Sequence, residues 1–390
     1  MKYPLGESVS VLPFVLAGLV MTGAAIAPSS AGAEIFSTDQ FKVTADFRAR
    51  LESDWASQRS NGVKRDDRTR ARIRTRLGVN YNATDHFSLG IRMRTGSDDS
   101  HQSPHITVLD FNNNDTGDAD VNLDKWFLKA KVNGFSSWIG RNSLPYWKQN
   151  EFFWSDDVTP AGIGASYSTK FDSAKLTVNG GYFSLPVGMQ DFAGNLGVGQ
   201  IVFATDLQGA AVTAAGGVLI FDANPGDVDA TRLLNGNGAR DYTIWTGGLQ
   251  VKFKAGGLGQ PITLGFDYMH NSEDYSVTDP DPFTVANRGE RDGFAGSIKL
   301  GKLKEKGDWL AAYYYAHIET LAVNSSYAQD NWVRWGSATE VRASNLKGHE
   351  FRLAYAIRKN LNAVARFYVA DAITTIEDGN RFRLDFNYKF

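Results

Sequence analysis

The chain has 390 residues, no cysteine, a mean hydropathy of −0.31 and a formal net charge of −2 at neutral pH. Without cysteine it cannot be a disulfide-stapled module, and its near-neutral balance carries no electrostatic footprint for nucleic acid. Past the N-terminal segment, no run approaches the roughly 18 apolar residues that a spanning helix needs.

Residues 1–33 start weakly positive at Lys2, are mostly apolar over 9–27 apart from Pro13, and reach the small-x-small exit Ala31-Gly32-Ala33. That layout predicts a secretory signal peptide cleaved after Ala33, leaving 34–390 as the mature chain. Strict alternation then begins. Phe41, Val43, Ala45, Phe47, Ala49 and Leu51 are apolar, and Lys42, Thr44, Asp46, Arg48, Arg50 and Glu52 lie between them. Ala71, Ile73, Leu77 and Val79 alternate with Arg70, Arg72, Arg74 and Arg76; Phe87, Leu89, Ile91 and Met93 alternate with Arg92, Arg94 and small residues. A helix would scatter these arginines around its circumference, whereas a strand puts them on one face.

The pattern continues over 121–132, 135–141, 162–170, 174–183, 197–205, 211–221, 242–254, 261–270, 293–301, 308–318, 347–358, 361–370 and 381–390, which with the first three makes sixteen strands. Contrast between faces is weakest at 197–205 and 211–221, which are rich in Gly, Ala and Val. Short connections such as Asn133-Gly134 and Lys359-Asn360 alternate with long polar ones at 53–66, 96–120, 142–161, 184–196, 222–241, 271–292, 319–346 and 371–380. Short turns on one rim and long loops on the other are the signature of a closed antiparallel transmembrane β-barrel, since only closure satisfies every backbone group in hydrocarbon. Trp126, Trp138, Trp245, Tyr268, Trp309, Tyr313, Tyr355 and Tyr388 fit interfacial girdles. The last strand alternates Phe382, Leu384, Phe386, Tyr388 and Phe390 with polar residues. It resembles the terminal signature that the barrel-assembly machinery recognises on outer-membrane proteins.

The polar face decides what the interior holds. Arg48, Arg50, Arg70, Arg72, Arg74, Arg76, Arg92 and Arg94, extended by Lys125, Lys129 and Lys131, would converge inside. Unpaired cations cannot sit in a dry core, so the expectation is a wide barrel with a basic, water-filled wall. Residues 142–161 offer the acidic counterpart: Glu151, Asp156 and Asp157 lie among Tyr146, Trp147, Phe152, Phe153 and Trp154. A loop so aromatic is poorly suited to water, and folding it inward would form a constriction with carboxylates facing arginines.

Two blocks carry a family resemblance: Gly140-Arg141-Asn142-Ser143-Leu144-Pro145-Tyr146-Trp147, and Trp154-Ser155-Asp156-Asp157-Val158-Thr159-Pro160-Ala161-Gly162. They resemble the hallmark of the bacterial "putative porin" family, and the alternating arginines of 70–76 and 92–94 are similar to its early strands. The resemblance implies an outer-membrane barrel with a pore, and no substrate. Where members often carry Glu before the final glycine, this chain has Ala161.

No nucleophile elbow, P-loop or zincin motif is present. His101 and His105 share a loop with Asp98 and Asp99, but loop histidines are normally solvated. The oxygen-rich stretch Asp110–Asp120 lacks the sixth-position glycine and twelfth-position glutamate of an EF-hand. No metal, cofactor or catalytic residue is therefore expected. The chain reads as a bacterial outer-membrane porin for small hydrophilic solutes, with a preference for anions. The alternative is a barrel specific for an anionic saccharide, of the alginate-export kind, which usually has more strands. Expected partners are outer-membrane lipid and lipopolysaccharide, polar solutes, the assembly machinery acting on the Phe390 strand and, by analogy with sixteen-stranded porins, two further copies in a homotrimer.

Overall fold

A computed structural model describes residues 34–38, 40–113, 116–117, 119–223, 240–254, 259–275, 282–334 and 343–389. The expected signal peptide at 1–33 and the terminal Phe390 lie outside them. The elements run β1 (Glu34–Ser37), β2 (Phe41–Gln58), β3 (Arg68–Asn82), β4 (Phe87–Thr95), β5 (Ile106–Asp110), β6 (Val121–Val132), β7 (Phe135–Arg141), β8 (Ala161–Phe171) and β9 (Ala174–Pro186). They continue with β10 (Phe192–Leu207), β11 (Ala210–Asp222), β12 (Tyr242–Lys254), β13 (Pro261–Asn271), the short helix α1 (Pro282–Asn287), β14 (Asp292–Gly301) and β15 (Trp309–Ile318). The last three are β16 (Leu346–Arg358), β17 (Leu361–Asp371) and β18 (Asp378–Lys389).

Sequential neighbours pair antiparallel, and β18 returns to pair with β2, so the sheet closes. Sixteen strands make the ring, as the alternation requires. The two extra strands are appendages. β1 lies along β2, and β5 continues the β3 ladder beyond the end of β4. The Asn133-Gly134 turn has both residues at positive φ (43° and 84°), which suits a two-residue hairpin between right-twisted strands. Several strands outrun their sequence-based limits: β2 reaches Gln58, and most of 184–196 is strand rather than loop. The ladder extends wherever a neighbour offers hydrogen-bond partners, whatever the side-chain pattern.

Alternation sorts the faces. Leu89, Ile91, Leu128, Ile139, Ile163, Ile201, Leu249, Phe266, Phe351 and Leu353 all point outward and are exposed, forming an apolar outer surface. Trp126, Trp245, Tyr268, Trp309 and Tyr355 belong to it. Trp138 does not: it is buried in the lumen, stacked on Phe183 at 5.3 Å, where Gly164 on the adjacent strand leaves it room.

The inward face is held by charge. Where the first and last ring strands meet, register puts Arg50 opposite Asp385, Glu52 opposite Arg383 and Asp54 opposite Arg381. The resulting ion pairs measure 2.6, 2.6 and 2.5 Å and are buried. On the other side of β2, Asp46 accepts from Arg74 at 2.6 Å and Arg76 at 2.8 Å, while Arg70 pairs with Glu52 and Arg68 with Asp54.

Two tests follow from this sorting. Asp385→Asn leaves Arg50 and Arg366 without their carboxylate, and should cost about 3–5 kcal/mol in urea unfolding from lipid vesicles. A loss below about 1 kcal/mol would mean that the seam does not depend on the pair. On the outer face, Ile91→Arg should cost about 2–4 kcal/mol in the same assay, as expected for a guanidinium facing lipid near mid-depth. A neutral outcome would place Ile91 against water.

Candidate pore and its lining

The segment between β7 and β8 enters the barrel. Asn142 donates to the Pro160 carbonyl at 3.2 Å, closing the loop at its base, and Arg141 clamps it from below through Thr159. From there the chain runs along the inner wall. Tyr146 reaches the Thr246 hydroxyl on β12 at 2.8 Å; the Trp147 backbone exchanges hydrogen bonds with the Gln200 amide on β10. Gln149 Nε2 donates to Asp267 on β13 at 3.0 Å, and Asn150 donates to the same carboxylate. The wall is thinned to receive it. A Cβ on Gly217 would lie 2.2 Å from the Tyr146 hydroxyl, and one on Gly248 would lie 2.9 Å from the Trp147 ring. The glycines that blur face contrast in these strands thus make the bed of the loop.

The aromatic half of the loop turns into the lumen and meets a second inward segment, residues 319–334, for which the sequence suggests only a long polar loop. Trp154 stacks on Tyr327 at 5.6 Å, Tyr327 on Phe221 at 5.7 Å, and Phe152 meets Trp332 edge-on at 5.2 Å. Ser155 and Gln329 complete the junction by backbone hydrogen bonds to Tyr327 and Glu151. The apolar core of this barrel therefore sits inside it, against β7 and β9 to β17, and part of the bore is filled rather than open. Burying these rings removes the cost that keeps aromatic loops out of water.

A cavity of about 390 Å³ remains between that core and the arginine wall. Arg48, Arg50, Arg72, Arg74 and Arg76 line one side; Glu151, Asp156 and Asp157 reach it from the loop. Asp157 bridges the two, pairing with Arg76 at 2.9 Å while its carbonyl accepts from Arg94. Burial alone would push the Asp157 carboxyl up, but Arg76, Arg74 and Arg94 outweigh it and hold it below the ordinary range. Glu151 is pushed up by burial and by the neighbouring Asp156 and Asp157, against the pull of Lys148.

The other expected cations sit elsewhere. Arg70 and Arg92 are occupied by Glu52 and Asp124, and Arg94 is almost fully buried among the Asp157 and Ser100 carbonyls and the Met189 sulfur. Lys125 donates to Ser143, and Lys129 and Lys131 line a separate cavity of about 570 Å³ at the short-turn rim, beside His86.

Two expectations need correction. The carboxylates that neutralise the arginines come mainly from the strands, namely Asp46, Glu52, Asp54, Asp124, Glu350 and Asp385, with the loop supplying Asp157. Pairing at register distance is what makes burial tolerable. The loop histidines are not solvated: His101 is buried with Nε2 at 2.6 Å from the Ser326 carbonyl, and His105 lines the central cavity. His270 on β13 has Nδ1 at 2.8 Å from Asp292 on the neighbouring strand. Sequence reading also missed Arg352, Arg366, Arg383 and Asn331 around the cavity, although the first three stand at polar positions of alternating strands. The stretch at 110–120 falls partly outside the described residues; among those described, no cluster of three or more His, Asp or Glu could hold a metal.

Comparison with known proteins agrees with this geometry. OprB of Pseudomonas putida, in its high-pH structure, superposes with a TM-score of 0.56 at 11% identity, covering 90% of this chain and 94% of that one. OmpT of Vibrio cholerae with loop L8 deleted, an outer-membrane protein, gives 0.50 at 14% identity, covering 90% and 99%. At such identities the likeness is one of fold. No curated protein matches the chain in sequence. Residues 58–207 match the family model described as "Putative porin", a span holding both hallmark blocks and most of the arginine ladder. Over that span the chain is similar to this family, and its closed ring and apolar outer face are those of a channel-type β-barrel of the bacterial outer membrane.

Proposed function

We propose that this barrel is a passive porin, without catalytic activity, whose eyelet is formed by the 142–161 loop against the arginine wall, and that it favours anions. The observation that carries the reading is the cavity, where nine cationic side chains meet five carboxylates. Guanidiniums on one side and Glu151, Asp156 and Asp157 on the other would set a transverse field across the permeation path. Water access keeps such charges functional, and Arg48 and Arg72, which have no close carboxylate, would raise the local concentration of anions. Sixteen strands favour this reading over the saccharide-specific barrel, whose class usually has more. In this reading the partners are membrane lipid and lipopolysaccharide outside, polar solutes inside, and the assembly machinery at the C-terminal strand. The homotrimer rests on analogy with sixteen-stranded porins.

Planar-bilayer recordings in a KCl gradient should give a reversal potential on the anion side, moving toward cations when Arg48, Arg72 and Arg74 are made glutamine. Cation selectivity that the triple variant leaves unchanged would refute the basic wall. Gly217→Leu should drive Tyr146 off its bed and raise single-channel conductance by roughly a third or more, since ionic flow scales with the free cross-section. Unaltered conductance in a folded variant would mean that the loop does not set the eyelet.

A further inference from the structure

Within the arginine wall one group of four stands apart. Arg48 lies directly opposite Arg74, and Arg50 directly opposite Arg72, on adjacent antiparallel strands. Like charges so placed destabilise a sheet unless something neutralises them. Two are neutralised: Arg50 by Asp385 at 2.6 Å and Arg74 by Asp46 at 2.6 Å. The diagonal pair has no carboxylate of its own at close range. Arg48 donates to the neutral Asn387 amide at 2.6 Å. Arg72 donates to the Ser103 hydroxyl at 3.2 Å and the His105 carbonyl at 3.3 Å, and the nearest carboxylate, Glu52, is 3.8 Å away and already engaged by Arg70 and Arg383.

Above this pair sits His105, which lines the same cavity. Its Nε2 is shielded from solvent and has no hydrogen-bond partner; the Nε of Arg72 and of Arg74 are in the same state. Burial, reinforced by Arg50, Arg72, Arg48 and Arg74, holds the imidazole far below its ordinary pKa, so it is neutral and can donate one N–H without adding charge. Buried donors without acceptors are costly and usually indicate a missing partner. An acceptor suited to these guanidiniums is an anion with several oxygens, and the adjoining cavity offers about 390 Å³ for it.

We infer that Arg48, Arg72 and His105 form a binding site for a small oxygen-bearing dianion, of which inorganic sulfate is the simplest example. Two guanidiniums without a close carboxylate of their own set the charge the site takes, and the neutral imidazole lies beside them. The inference deepens the porin reading and rests on it for its physiological sense: a dianion would pause here during passage. The binding itself does not require conduction.

The test is calorimetric titration of sodium sulfate into the full-length protein purified in detergent, at constant ionic strength with nitrate as the background monoanion. One saturable sulfate site is expected. Arg48→Gln combined with Arg72→Gln should weaken it about tenfold or more, from the loss of two charge-assisted hydrogen bonds. His105→Ala, which leaves every ion pair in place, should weaken it by a smaller factor. Heat-modifiable gel mobility checks that each variant is folded. Absence of saturable binding, equal affinity for nitrate, or unchanged affinity in the folded double variant would each overturn the site. Bilayer recordings on the same preparation separate the two readings. Conductance without sulfate binding sinks the site and leaves the porin, whereas sulfate binding without conductance sinks the porin and leaves the site.

Discussion

The architecture depends on the neutralisation of an inward-facing row of arginines by carboxylates one strand away. Closing a sheet in a membrane forces one face toward lipid and the other inward, and here the inward face carries guanidiniums on β2, β3, β4, β17 and β18. Their burial would be prohibitive without Asp46, Glu52, Asp54 and Asp385 at matching rungs. Because Glu52, Asp54 and Asp385 sit where β18 meets β2, the pairs that neutralise the lumen also fasten the ring. A one-residue slip at that seam would split every pair and turn one partner outward into hydrocarbon. Charge thus enforces register as strongly as the apolar face does.

A barrel of this size has more bore than its wall residues can fill, and this chain fills part of it with its own loops. The 142–160 segment and residues 319–334 stack Trp154, Tyr327, Phe152 and Trp332 inside the ring, against small residues of the far strands. The lumen is thereby divided into an apolar half, built for rigidity, and a charged half that keeps the cavity. Gly217 and Gly248 belong to the first half although they lie on the wall, because the loop could not approach a side chain there.

The two halves also explain which residues were legible in advance. Arg72, Arg74 and Arg76 could be assigned to one face because a strand repeats every two residues, a property of the backbone alone. Asp385 and Glu52 were equally visible as polar positions. That they neutralise Arg50 and Arg383 was not, because the partners are separated by more than 300 residues and meet only on closure. Trp138 looked like a girdle residue by its place near a strand end; the β6–β7 register and the space over Gly164 turned it inward. His105 looked like a solvated loop residue until β5 joined the β3 ladder and fixed it beside the arginines.

By itself, the sequence determined the sixteen-strand ring, its closure, the lipid-facing residues and the aromatic character of the loop that enters the bore, because each follows from local periodicity or composition. Only the tertiary structure decided which cation meets which carboxylate, that residues 319–334 join the loop in the lumen, and that Arg48 is left without one while Arg72 has only a long contact to a shared Glu52. Those outcomes depend on the register of strands distant in sequence and on the finite space inside the ring, and neither is encoded in any local window.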